Sequence, residues 1–218
     1  MLSSPTHARD ATVAAVKRRV DALLRADGSW YRWVVRTASP TGEDVAMETW
    51  DAIRARRNVR QYTDEPIARA DLERILDAGR RAPSAGNWQP WDFVVVTDRG
   101  RLVELSKVWE RGGRHIAHSA ATIAMVAAEP GDARRRALLY YDFGQATANM
   151  MLTATDLGIG SGHSSVGDQE LAQRLLGFPD GYLCLFLIGL GYPADRPLRP
   201  LVKPNRRPFE EVVHWDRW

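Results

Sequence analysis

Residues 82–96 read APSAGNWQPWDFVVV. The last four, Phe93-Val94-Val95-Val96, are aromatic and β-branched, which predicts a strand. Pro83 fixes a turn ahead of it, and Gly86 permits a backbone angle that other residues avoid. Upstream, Leu72, Ile75 and Leu76 recur at helical spacing, so a helix is expected over Arg69–Arg81. The stretch therefore reads as helix, rigid turn, strand.

Working outward, helices and strands continue to mix. Helices are expected at Glu48–Arg57 and Arg101–Trp109, and a strand at Thr122–Ala128. Arg134–Leu157 reads as a long, nearly apolar helix with Leu138, Tyr141, Gln145, Ala148, Met151 and Leu152 at helical spacing. Such a helix belongs between other helices or at a subunit interface. Asp168–Leu176 is a short helix, and Tyr182–Leu190 is apolar on both faces, as in the centre of a sheet. The tail Tyr192–Trp218 is proline-rich and ends in aromatics. This mixture predicts an α+β or three-layer sandwich core.

Residues 1–46 stand apart. Thr12–Ala26 reads as an amphipathic helix and Gly28–Ala46 as a turn-rich linker, so an N-terminal extension precedes a main domain at 47–218.

Composition excludes several classes. The 218 residues carry 30 basic and 27 acidic side chains, a net charge of +3. The basic residues are interleaved with acids except near 54–60 and 203–207, which suits a small anion better than a long polyanion. No aromatic and basic interleaving on a sheet is evident, so nucleic acid is not expected. No apolar run is long enough to span a membrane. Met1–Asp10 is polar, with no signal-peptide core, and Cys184 is the single cysteine, so a cytoplasmic address is expected. His115 and His118 lack a third ligand, so no metal is expected.

Four segments carry candidate chemistry. Arg56-Arg57-Asn58-Val59-Arg60 places three guanidinium groups in five residues. An anion relieves their repulsion, and arginine's fork suits phosphate oxygens; a solvated basic helix end is the alternative. In the 82–91 turn, Asn87 and Gln89 offer amides able to read the edge of a planar heterocycle, although a plain connector also uses Pro and Gly. Gly158–Asp168 reads GIGSGHSSVGD, a glycine-rich segment that lets backbone approach a ligand or forms a flexible loop. It is not a dinucleotide fingerprint, because the spacing is wrong. Lys203-Pro204-Asn205-Arg206-Arg207-Pro208 is a second basic cluster, or a solvated tail.

In order, RRNVRQY, APSAGNWQPWDFVVV, LGIGSGHSS and KPNRRPFEEVVHW resemble the FMN-dependent nitroreductase family, from Met47 to the end. The resemblance implies a three-layer α/β/α sandwich with a mostly antiparallel central sheet, and an intertwined homodimer holding FMN at the interface. It implies that Arg56, Arg57 and Asn58 serve the flavin phosphate and Arg60 the ring. Pro83, Ser84 and Asn87 would come from the partner chain to face the ring. His163, Ser164, Ser165 and Val166 would lie near the flavin N5 and dimethylbenzene face. Arg206 and Arg207 would close the phosphate site. The implied activity is hydride transfer from NAD(P)H through flavin N5 to a nitroaromatic, quinone or similar planar acceptor in a ping-pong cycle, with no catalytic side chain. Some family members instead dehydrogenate azolines, fragment flavin or dehalogenate; a flavin-binding sensor without turnover is a further alternative. One departure is local: Ser165-Val166 stands where well-known bacterial members have Glu-Gly.

Overall fold

Four apolar or small-residue segments pair into one sheet, and the computed structural model describes this for residues 47–218. The expected helix Thr12–Ala26 and the linker Gly28–Ala46 lie outside the described residues. In chain order the main elements are α1 (Thr49–Ala55), α2 (Arg69–Arg80), β1 (Asp92–Val96), α3 (Arg99–Leu105), β2 (Ala121–Ala128), α4 (Ala133–Asp156), β3 (Gly160–Ser165), α5 (Gln169–Leu176) and β4 (Tyr182–Gly191).

The sheet order is β1-β2-β4-β3, with every pairing antiparallel. Residues alternate between faces along a strand, and β2 shows it. Ile123, Met125 and Ala127 join one apolar cluster, while Ala124 and Val126 join the other. Leu72 and Ile75 of α2 and Leu139, Phe143, Ala146, Met150 and Ala154 of α4 cover the first face. Leu102 and Leu105 of α3 and Ala172 of α5 cover the second. Each fully buried large side chain contributes about 1.5–3 kcal/mol relative to exposure. Helices thus cover both faces of one sheet, the expected three-layer sandwich. The register shifts between Met125 and Val126, where Leu185 is the extra residue of β4 and turns inward with Ile188.

Three local expectations change. The expected helix Arg101–Trp109 starts earlier, because Asp98 accepts from Arg101 N–H as its N-cap, and it tightens to a 3-10 turn over Ser106–Trp109. Of the expected row on α4, Met151 is buried while Leu138 and Tyr141 are exposed; the residues that meet the sheet are Leu139, Phe143, Ala146 and Met150. Gly160–Ser165 is a strand, not a loop, held by β4 on one edge.

Candidate active site

The first basic segment is built by a helix that stops and a chain that then runs extended. Arg56 caps α1 with extended backbone, and its N–H donates to Ala52 O. Asn58 then pairs with Ser161 in a parallel bridge, and Val59 N–H donates to Ser161 O at 2.9 Å. Val59 is fully buried, while Asn58 and Arg60 on either side of it are exposed. This close approach requires small residues on β3. A Cβ on Gly160 would lie 2.7 Å from Val59 Cγ2, and one on Gly162 would collide with Val59 O. Tyr62 locks the segment from below. Its hydroxyl donates to Val59 O at 2.8 Å, with Gly189 O at 3.1 Å as the alternative acceptor, and burial holds it protonated far above the ordinary range.

The three arginines then separate in role. Arg57 places its fork on Asp195, at 2.7 and 2.9 Å, and also donates to Arg196 O. Burial pushes the Asp195 carboxyl up, but the hydrogen bonds from Arg57 and the Arg196 backbone outweigh it and hold it low. Arg57 therefore braces the end of α1 against residues 195–196, and only its buried Nε is left without a partner. Arg56 and Arg60 have no carboxylate partner among the described residues. Their charges converge on His163: burial first, then Arg60 and Arg56, keep that ring below the ordinary histidine range.

Along β3, Ser161, His163 and Ser165 share one face. His163 and Ser165 are exposed; Ser161 is 1% exposed, and its Oγ is buried without a partner. The Ser164 hydroxyl points the other way and donates to Ser165 O, and Val166 packs into the second apolar cluster. Beneath the strand sits His115, a residue that sequence reasoning set aside. Its Nδ1 lies 3.0 Å from Gly112 O and its Nε2 3.1 Å from Gly162 O. Burial, opposed by those two carbonyls and aided by the Arg60 charge, lowers its pKa. No cluster of three metal-ligating side chains occurs among the described residues.

The 83–89 turn is strained. Gly86, Asn87 and Gln89 adopt φ of 59°, 58° and 50°, and a non-glycine residue there costs about 1 kcal/mol or more. Ser84 Oγ accepts from Gln89 N–H at 2.9 Å, and Gln145 Nε2 donates to Pro83 O at 3.2 Å. Asn87 and Pro83 are both exposed. In the tail, Arg206 donates to Asn205 O, and Arg207 contacts Glu211. Among the described residues, no hydrogen bond or ion pair joins this turn or tail to Arg56, Arg60 or β3. One chain thus brings Arg56, Asn58 and Arg60 to β3 and its His163.

Cys184 lies buried in β4. Burial pushes the thiol up to about 12, so it is unreactive at neutral pH.

The fold is an α+β sandwich in which two guanidinium groups without carboxylate partners among the described residues lie beside a glycine-rich edge strand. The nitroreductase family model matches residues 53–111 and 99–192, and the chain belongs to that family. A protein of Archaeoglobus fulgidus, provisionally named an NADH dehydrogenase/NAD(P)H nitroreductase, is 34% identical over 171 residues, 76% of this chain and 96% of the relative. The oxygen-insensitive NADPH nitroreductase of Salmonella typhimurium is 31% identical, over 74% of this chain and 71% of that one. Among solved structures, the NADPH:FMN oxidoreductase of Vibrio harveyi complexed with NAD+ superposes with a TM-score of 0.63. It is 27% identical and covers 77% of this chain and 76% of its own.

Proposed function

We propose that this chain is an FMN-dependent NAD(P)H oxidoreductase that works as a homodimer and passes hydride to a nitroaromatic, quinone or similar planar acceptor in a ping-pong cycle. The observation that carries this reading is the pair Arg56 and Arg60, without carboxylate partners among the described residues, beside the glycine-bearing strand β3. The residues fit the cofactor. Two buried polar atoms without partners among the described residues, Arg57 Nε and Ser161 Oγ, flank Asn58 in sequence and by strand bridge, and a phosphate or ring oxygen there would satisfy them. The names of the Salmonella relative and the Vibrio structure, which specify NADPH and FMN, support the same reading.

When bound, FMN supplies the hydride chemistry, and the protein supplies placement and electrostatics. Arg56 and Asn58 would hold the phosphate, with Arg57 acting through its Nε and its brace on Asp195, and Arg206 and Arg207 closing the site. Arg60 would set positive charge at the pyrimidine edge, where negative charge is favoured by a fixed guanidinium. Asn87, on the turn begun by Pro83 and Ser84, would read the ring edge from the partner subunit. His163 and Ser165, with the backbone of Ser164 and Val166, would line the ring face. No side chain acts as acid or base. The described residues leave Trp50, Tyr141, Phe209, Trp215 and Trp218 exposed. Large apolar side chains in that number suit burial against a second copy. Residues 47–218 would form the FMN domain, and 1–46 an extension to it.

The test is the absorbance spectrum of the purified protein under nitrogen, before and after NADPH and then NADH. A flavin spectrum that bleaches is expected. A flavin that no nicotinamide bleaches would refute the reductase reading, and failure to take up added FMN would refute the cofactor.

A further inference from the structure

Asp142 is fully buried in the middle of α4, among Leu139, Phe143 and Ala146. A carboxylate there is expensive unless its lone pairs are met. It meets one group. Both oxygens lie on the N–H of Ala85, at 3.1 and 3.2 Å, and no arginine, lysine or histidine pairs with it among the described residues. A leucine would fill similar space with no desolvation penalty, so packing alone does not account for the side chain.

What the bond does hold is the entry to the 83–89 turn. Ser84 is extended, Ala85 opens the 3-10 turn, and the left-handed residues Gly86, Asn87 and Gln89 follow within four positions. Such a run relaxes unless it is fixed from both sides. Asp142 fixes Ala85, Gln145 one turn further along α4 fixes Pro83 O, and Ser84 Oγ takes Gln89 N–H across the turn. The Asn87 amide projects from this frame exposed, with no hydrogen bond from its side chain among the described residues.

We infer that Asp142 is a positioning residue: through the Ala85 N–H it sets the conformation in which Asn87 is presented to the flavin ring. The inference rests on the FMN reading given above, and on the buried Asp142–Ala85 contact for its mechanism. A neutral amide oxygen at this place keeps the acceptor, whereas a methyl group removes it. Proline at 85 removes the donor from the other side. Its fixed φ suits the first position of a helical turn, and the extended Ser84 is compatible with a following proline.

The experiment uses the full chain as wild type, Asp142→Ala, Asp142→Asn and Ala85→Pro. FMN is titrated into the apoprotein by quenching of flavin fluorescence, amide exchange is followed over residues 84–89 of the apoprotein, and thermal unfolding is recorded. Losing a buried hydrogen bond and leaving the Ala85 N–H or the Asp142 carboxyl unpartnered is expected to weaken FMN binding about tenfold or more in Asp142→Ala and Ala85→Pro. Exchange at 84–89 should accelerate in both, while β2 and β4 amides stay protected. Asp142→Asn should bind within about threefold of wild type, since the acceptor is retained. Asp142→Ala with wild-type FMN affinity and unchanged exchange at 84–89 would overturn the assignment while leaving the cofactor reading intact. Asp142→Asn as weak as Asp142→Ala would also overturn it, by assigning the effect to charge. A wild-type chain that binds no FMN would overturn the cofactor reading and the inference together.

Discussion

Replacing Gly162 with alanine tests how the first basic segment is held on the edge strand. The added Cβ collides with Val59 O, a backbone atom, and lies 3.3 Å from both Cδ2 and Nε2 of His115. Neither neighbour retreats easily. Val59 O also accepts from the Tyr62 hydroxyl, and His115 is wedged between two carbonyls. Overpacking such a site costs about 1–3 kcal/mol. Displacing the segment also strains the bond from Val59 N–H to Ser161 O, worth roughly 1 kcal/mol. The combined loss, about 2–4 kcal/mol, corresponds to a fall in Tm of roughly 5–15 °C for a domain of this size. FMN affinity should fall with it, because Arg60 follows Val59 directly. Thermal unfolding by circular dichroism and an FMN titration measure the two effects. Gly131→Ala is the control: its Cβ meets open space and its φ is not left-handed, so a change within about 0.5 kcal/mol is expected. A Gly162→Ala protein that melts with the wild type and binds FMN equally would refute the close-approach reasoning.

Other outcomes follow from the same geometry. Arg60→Ala should weaken FMN retention and lower the midpoint potential of the bound flavin; full occupancy at an unchanged potential would remove its role at the ring. Asp195→Ala frees Arg57 and leaves a guanidinium that is 10% exposed without its fork partner, so a loss of about 1.5–3 kcal/mol is expected in urea unfolding. His115 and His163 both titrate below the ordinary histidine value, for burial first in each case. The unfolded chain then binds protons before the folded one, so stability is full above about pH 7 and declines as pH falls through about 6.5 toward the depressed values. Tm should be lower at pH 5.5 than at pH 7.5, and His115→Gln should flatten that difference; a Tm that rises on acidification would contradict it.

The sandwich was legible because its central strands announce themselves. Tyr182–Gly191 is apolar on both faces, and it sits between β2 and β3 as its sequence predicts. Strand β3 was not legible. Gly-Ser-Gly-His-Ser-Ser has no branched or aromatic residue, and a strand is ordinarily recognised by those. Here the small residues are a consequence of what lies on the strand, since Val59 and Tyr62 occupy the space that side chains at Gly160 and Gly191 would take. On α4 a period alone cannot say which apolar residues meet the sheet: Leu139, Phe143, Ala146 and Met150 do, while Leu138 and Tyr141 are exposed. Arg56 and Arg57 carry the same expected role in the sequence. Their difference comes from Asp195, 138 positions away, which no local pattern reveals. Asp142 did carry a signal, a lone acid in an apolar stretch, but its partner lies 57 positions upstream in the turn.

The pairing of Val59 with Ser161 also has a temporal consequence. The two residues lie about a hundred positions apart, and contacts of that separation form late, after the loop between them has been closed. During synthesis Arg56 and Arg60 leave the ribosome long before the strand they rest on. Until β3 emerges and docks on β4, the nascent chain carries the arginines without the surface that aligns them. A product truncated before residue 160 would carry this basic motif without the strand that seats it.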